Sequence, residues 1–392
     1  MSGIRAHVFS PQNSITVKES STNAFTTNAI NLCDMLTEGG AEVYHYGSEG
    51  SEVACKEHID CVTIKELDET YGDNHRTQKE QLIGVMDQYA FKMFHNRAVW
   101  ECLKRVKPGD VLCAIWNGHE EIVKEIASAE PGVITTEPTV GYTGCFSGHR
   151  VFPSKSFRDY HYGLFHKQHE KDYPDNMYDS STWTVLSNPW TFVKEGDDVI
   201  PHALDMDQFT LCEDKEDYLL FVGRIIFNKG VDMAVKIAQE VGRKLLIAGQ
   251  GDFEKELGYK PPEHVELLGR INPEQRDKLM GKAYCGLGYT RHLEPFGYVG
   301  AEFNACGTPF NTYPWGGFSE IVQDGITGFH TMSFSEACDA VEKAGDISPL
   351  DCRENIEERF TMDVVGPQFI RYFNRITKLA EANNKGIGYY HV

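Results

Sequence analysis

Short apolar runs alternate with stretches of helical periodicity along the chain. In the first half the runs are RAHVFS, EVYHYG, DVLCAIW, GVITTE and WTVLSN. In the second half they are YLLFVG, KLLIAG, VELLG, YCGLGYT and TPFNTY. This alternation predicts βα repeats and mostly parallel sheets, an α/β architecture. Many of the runs end in Gly, Ser, Thr or Asn, and such residues at carboxyl strand ends are where open α/β sheets carry ligand loops.

The polar gaps set the helix limits. A helix is predicted over 24–36, after the cap candidates of SSTN and before Gly39 and Gly40. Others are predicted over 88–105, over 231–241, and over 273–280, where Asn272 caps and Pro273 takes the first helical position. The stretch 66–81 (ELDETYGDNHRTQKEQ) lacks a buried face and reads as a surface loop. A helix near 367–382 carries Phe369, Ile370, Tyr372, Phe373 and Ile376, a face that could pack back on the first half.

Length and composition narrow the class. A chain of 392 residues is about right for two α/β cores. The polar segment VKEGDD suggests a division into 1–195 and 196–366, with 367–392 returning to the first part. The formal net charge of −20 disfavours a nucleic-acid or anionic-lipid partner. No run approaches the ~18 apolar residues of a membrane span, and the start lacks a signal-peptide core, so a cytoplasmic protein is expected. Eleven scattered cysteines, none in zinc-ligand spacing, fit buried reduced thiols and no metal site.

Two segments carry chemistry. In YLLFVGRIIFNKG a strand ends at Gly223, and Arg224 and Lys229 follow before a helix. Two cations at a strand-to-helix turn form an anion site, helped by free N–H groups of the helix; taken singly, each is also an ordinary solvated cation. In RHLEPFGYVGAEFNACGTP a strand leads through a loop into a helix from about Tyr298. Glu294 on the loop can accept from sugar hydroxyls, Glu302 can grip a ribose diol, and the Phe296 and Gly297 backbone offers a second anion cradle. A helix-start acid and a solvated helical acid are the plainer alternative.

Taken together, the segments resemble glycosyltransferase family 4, retaining enzymes of the GT-B fold with two facing Rossmann-like domains. The resemblance runs from about Asp217 to Phe373 and includes FVGRIIFNKG, LLIAGQGD, VELLGRI, EPFGYVGAEFNACGTP and GGFSEIVQDGITGF. It implies transfer of a hexose from a nucleotide-sugar, UDP-sugar by family habit, with retention and without a catalytic metal or other cofactor. It also implies that Arg224 and Lys229 bind the donor diphosphate and that Glu294 contacts the sugar. Glu302 would hold the ribose, and Arg270 and Ile271 would frame the base. Gly223, Gly249 and Gly251 would let the strand turns approach the nucleotide. VIPHALD resembles the family's hinge, with His202 and Ala203 as departures.

The first half matches less well. Where the family has a glycine-rich loop, this chain has SPQNSITVKESSTN, in which Ser14, Thr16 or backbone amides would substitute. The family's acceptor-side histidine has two counterparts, His119 after DVLCAIW and Glu137 ending GVITTE; His119 is preferred. Asp205-Met206-Asp207 resembles a metal-binding pair of acids, but its place after VIPHAL makes it a hinge and cap. The acceptor is unknown, a small molecule or glycan by default. A modified DNA base is the alternative, because Arg150, Lys155 and Arg158 lie among aromatics. A non-catalytic nucleotide-sugar-binding protein is the rival of another class.

Overall fold

The computed structural model describes residues 3–18, 24–73, 75, 87–169 and 195–384. The strand expected at WTVLSN and the SSTN cap candidates lie outside these residues. Two five-stranded parallel sheets form the frame. The first holds β1 (Arg5–Phe9), β2 (Glu42–Ser48), β3 (Glu57–Val62), β4 (Val111–Ala114) and β5 (Ile134–Thr136), in the order β3-β2-β1-β4-β5. A small parallel pair, β6 (Val151–Phe152) with β7 (Asp198–Val199), lies beside it. The second sheet holds β8 (Tyr218–Val222), β9 (Lys244–Ala248), β10 (Val265–Gly269), β11 (Cys285–Gly288) and β12 (Phe310–Thr312), in the order β10-β9-β8-β11-β12. In each sheet the chain starts in the middle, builds outward one way, then crosses to the other side. The crevice outside the carboxyl ends at that reversal is where open α/β sheets bind ligands. It falls between β1 and β4 in one sheet and between β8 and β11 in the other.

The helices between strands are α1 (Ala24–Glu38), α2 (Ile64–Tyr71), α3 (Tyr89–Leu103), α4 (Glu120–Ala129) and α5 (Lys155–His169) in the first part. The second part has α6 (Val231–Glu240), α7 (Phe253–Leu257), α8 (Pro273–Lys282), α9 (Tyr298–Ala305), α10 (Phe318–Ile321), α11 (Phe334–Lys343) and α12 (Pro349–Glu357). The long α13 (Met362–Asn384) ends the described chain. Its Val365, Phe369, Tyr372, Phe373 and Ile376 recur at helical spacing and are buried with Ala29, Leu32 and Leu36 of α1 in the first core. Tyr372 Oη also lies 3.0 Å from Thr136 Oγ1 at the end of β5. The crossover between cores falls at Ala203, buried in the first, and Leu204, buried in the second. No helix among the described residues is long and apolar enough to cross a membrane.

Two elements differ from expectation. The segment read as a surface loop from residue 66 begins as α2. Thr63 and Glu66 form a reciprocal capping box, with Glu66 N donating to Thr63 Oγ1 at 3.2 Å and Thr63 N to Glu66 at 2.9 Å. Glu66 is forked by Arg97 of α3 at 2.6 and 2.7 Å, and Leu67 is fully buried. A tertiary partner thus supplies what the polar sequence lacks. The strand β3 was missed because its alternation, Ile59 and Cys61 buried and His58 and Asp60 more exposed, is short and half polar.

Several histidines are buried as neutral rings. Burial pushes His45, His119 and His202 each down to about 3 from the ordinary 6.5. A folded-state value below the unfolded one stabilises the fold above pH ~6.5, and that contribution is lost as pH falls toward the folded value. Each ring should therefore cost up to about 1.4 kcal/mol per pH unit between pH ~6.5 and ~4. Denaturant melts across that range should show the decline. His119→Phe, which keeps a flat ring against Phe94, should lessen the slope by about one proton. An unchanged slope would mean that the His119 ring already takes up a proton in the folded protein.

Candidate functional site

The loop after β8 is held by its neighbours before any ligand is considered. Gly223 N donates to Ala248 O at 2.9 Å and Ile225 N to Gln250 O at 2.7 Å, which stitches it to the loop after β9. That approach needs glycine at 249, since a Cβ there would sit 1.8 Å from Gly223 O. On its far side Arg291 forks onto Asp232 at 2.7 and 2.9 Å and donates to Phe227 O at 2.8 Å. Its guanidinium also lies 4.0 Å over the Phe227 ring. Thus braced, the turn Phe227–Lys229 directs the Lys229 ammonium onto the Glu294 carboxylate, and the two are hydrogen-bonded. Glu294, Lys229 and Arg224 all act on the His292 ring, which burial first of all pushes down. Arg224, Lys229 and Glu294 therefore converge where the second sheet reverses its strand order.

The segment after β11 is anchored by its side chains and presents its backbone. Phe296 is buried, its ring 5.2 Å from His202, 5.2 Å from Tyr298 and 5.5 Å from Phe360. Gly297 starts α9 at φ +100°, and a Cβ there would meet the Phe318 ring at 2.4 Å. The Tyr298 and Val299 N–H groups that open α9 have no intrahelical acceptor, and a helix amino end of this kind attracts an anion. Glu302, in the same helix, is buried and lies 3.3 Å from Arg276 of α8. Arg270, just past β10, has its guanidinium pushed down by burial. Ile271 packs half-buried on the second core, and Gly251, at φ +136°, lies against the Ile225 backbone.

The facing side is built from the first sheet. Tyr298 Oη donates to Asn28 Oδ1 at 2.6 Å, and Lys18 pairs with Asp205 at 2.8 Å, so the β1–α1 connection meets the second part directly. Ser154 Oγ donates to Pro295 O at 2.5 Å, and Glu320 accepts from Lys155 N and Ser156 N at 3.0 and 2.8 Å. Around the carboxyl ends of β1, β4 and β5 lie buried polar groups without hydrogen-bond partners among the described residues. They are the Gln12 carboxamide, the Thr16 and Thr139 hydroxyls and the His119 ring nitrogens. A group of this kind costs about 1–3 kcal/mol to leave unsatisfied. Four of them at one end of a sheet mark a place suited to a polar ligand.

The two acceptor-side candidates differ. His119 is fully buried, stacked at 5.7 Å on Phe94 and edge-on to Trp116 at 5.8 Å, with the Ser10 backbone acting on it. Glu137 is also buried and accepts from Ser147 N at 2.7 Å, Phe146 N at 2.9 Å and Tyr142 Oη at 2.9 Å. Burial pushes it up to about 7 despite these bonds. Asp205 acts as a cap, accepting from Asp207 N. Arg150 does not join a surface patch: it is buried and paired with Asp197 at 2.5 Å, because β6 beside β7 carries it inward. Lys155 and Arg158 remain at the surface, the latter 2.8 Å from Asp159. A depression of about 780 Å³ lined by Gly39, Ile370, Arg371, Asn374, Arg375 and Lys378 sits on α13 and involves none of these loops.

Sequence reasoning missed Arg276, Arg291, Gln12 and Thr139. Arg276 stands one turn inside a helix whose cap was recognised, on the side that meets Glu302. The other three gave no signal, because a lone polar residue acquires meaning only from burial.

Comparison with known proteins bears on the family and the fold. Residues 205–357 match the family described as glycosyl transferases group 1. A 127-residue stretch is 33% identical to an uncharacterized glycosyltransferase, MJ1607, of Methanocaldococcus jannaschii, covering 30% of this chain and 32% of that one. Another of 120 residues is 32% identical to the glycogen synthase of Mycobacterium tuberculosis, covering 28% and 29%. The matched stretches thus span about a third of these relatives' own length. Solved structures match over nearly the whole chain. The sucrose-phosphate synthase of Thermosynechococcus elongatus does so with TM-score 0.65 at 13% identity, over 96% of this chain and 99% of that one. HepE of Anabaena, solved with UDP and glucose, does so with TM-score 0.61 at 12% identity, over 95% and 100%. At such identities the likeness establishes the fold. Residues 205–357 are thus similar to the glycosyl transferases group 1 family, in a chain with the GT-B fold.

Proposed function

We propose that the protein is a glycosyltransferase that moves a hexose from a nucleotide-sugar, a UDP-sugar, to an acceptor hydroxyl with retention. The observation that carries this reading is the meeting of Arg224, Lys229 and Glu294 at the reversal of the second sheet, beside the amino end of α9. Breaking the bond from sugar to phosphate leaves negative charge on the diphosphate and positive charge on the ring. Groups fixed before reaction stabilise that charge at no cost in reorganisation. Arg224, Lys229 and the first N–H groups of α9 serve the diphosphate. Glu294 exchanges the Lys229 ammonium for sugar hydroxyls, which frees the amine for the phosphate. Glu302, steadied by Arg276, takes the ribose diol, and Arg270 and Ile271 border the base. The whole constellation of protein cations makes a divalent ion unnecessary in this reading.

Same-face attack, with a donor phosphate oxygen taking the acceptor proton, requires no protein nucleophile. The acceptor then lies against the carboxyl ends of β1, β4 and β5, where Gln12, Thr139 and His119 hold unused hydrogen-bonding capacity. A small molecule or glycan rich in hydroxyls fits such uncharged groups. The burial of Arg150 weakens the DNA alternative. The structure of HepE with UDP and glucose supports the choice of donor by analogy of fold.

Purified protein with UDP-sugars and chelator should release free UDP, slowly by hydrolysis and faster with acceptor. Arg224→Ala should lower turnover by ~10²–10³ with the fold intact. Full activity of that variant would remove Arg224 from the site, and donor binding without any release would make the protein a binding module. Glu302→Gln keeps an acceptor for Arg276 but loses one diol contact. It should weaken donor binding by about tenfold, read as a smaller rise of melting temperature with UDP-sugar. An undiminished rise would place the ribose elsewhere.

A further inference from the structure

Ser10 follows β1, and its buried hydroxyl begins a chain of hydrogen bonds that crosses three strands. Ser10 Oγ lies 2.6 Å from His45 Nε2 on β2. His45 Nδ1 lies 2.8 Å from Nδ1 of His58, its cross-strand neighbour on β3, with ring centroids 4.9 Å apart. His58 Nε2 lies 3.0 Å from Asp60 Oδ1 at the exposed sheet edge. Ser10 and His45 are fully buried, and His58 is half-buried. The chain thus runs from solvent to the carboxyl end of β1, where the β1–α1 connection starts.

Two ring nitrogens at that separation share one hydrogen, which leaves few arrangements. With His58 charged, its Nε2–H donates to Asp60 and its Nδ1–H to His45 Nδ1. His45 is then neutral with its hydrogen on Nε2, which donates to Ser10 Oγ. The serine hydrogen is released to point elsewhere. When His58 loses one proton to solvent, the carboxylate of Asp60 retains the Nε2–H. His45 must now donate from Nδ1, its Nε2 is bare, and the Ser10 hydroxyl turns to donate to it. Both rings charged would set N–H against N–H, which the contact forbids. Of the groups facing the two rings, Ser10 comes from β1 and Asp60 from β3. Among the described residues, the charge that acts on the buried His45 ring is that of His58.

We infer that Asp60 and His58 are positioning residues that set, through His45, the direction in which Ser10 presents its hydroxyl hydrogen, and so couple the reaction to protonation at the sheet edge. Only the coupling to the reaction rests on the transferase reading; the relay itself does not.

The experiment uses the full chain labelled with ¹⁵N-histidine and reads ring tautomers by nuclear magnetic resonance from pH ~5 to ~9, spanning the ordinary histidine range. His45 should pass from the Nε2–H to the Nδ1–H form at the pH at which His58 loses its charge. Asp60→Asn, a change at the exposed edge that removes the charged partner, should move both midpoints together. A His45 tautomer that stays fixed, or midpoints that move apart, would overturn the relay whatever the enzyme does. Release of UDP from UDP-sugar is then followed over the same range. Its pH profile should shift with Asp60→Asn by the same amount, and Ser10→Ala should abolish that shift. A tautomer switch with an unshifted profile would overturn the coupling. A protein that switches but releases no UDP under any condition would contradict the proposed reaction and leave the relay standing.

Discussion

A lysine from one loop and a glutamate from another meet where the second sheet reverses its strand order, and the arrangement of the site follows from that meeting. Strand order alone brings the loops after β8 and β11 side by side. The close backbone approach at Gly249, the Arg291 brace and the buried Phe296 ring then hold them at fixed separation. An ion pair in this half-buried place satisfies both charges while the site is free. It also keeps an ammonium and a carboxylate ready for a ligand with complementary groups.

The chemistry of the second half was legible because it is local. Strands end in recognisable loops, Arg224 and Lys229 flank one turn, and Glu294 and Glu302 lie within a single loop and helix. All five strands of that half appear where the apolar runs place them. The resemblance adds roles to positions whose residue types already suit an anion and a sugar.

The first half was less legible for the opposite reason. Its polar groups draw their meaning from distant partners: Glu66 from Arg97, Arg150 from Asp197, and His45 from Ser10 and His58. Alternation in EHIDCV was present but too short to stand out. Gln12 and Thr139 are ordinary residues until burial strips them of water. The polar end of the first sheet is thus assembled by tertiary packing, whereas the cations and carboxylates of the second sheet are written into contiguous segments.

Calorimetry of UDP against uridine, in the presence of chelator, reads whether the cations at the sheet reversal cradle a diphosphate. Two charge-assisted contacts at about 1.5–3 kcal/mol each predict that UDP binds at least ~100-fold more tightly. Equal affinity for the two would show that the cations at the sheet reversal do not receive the phosphates.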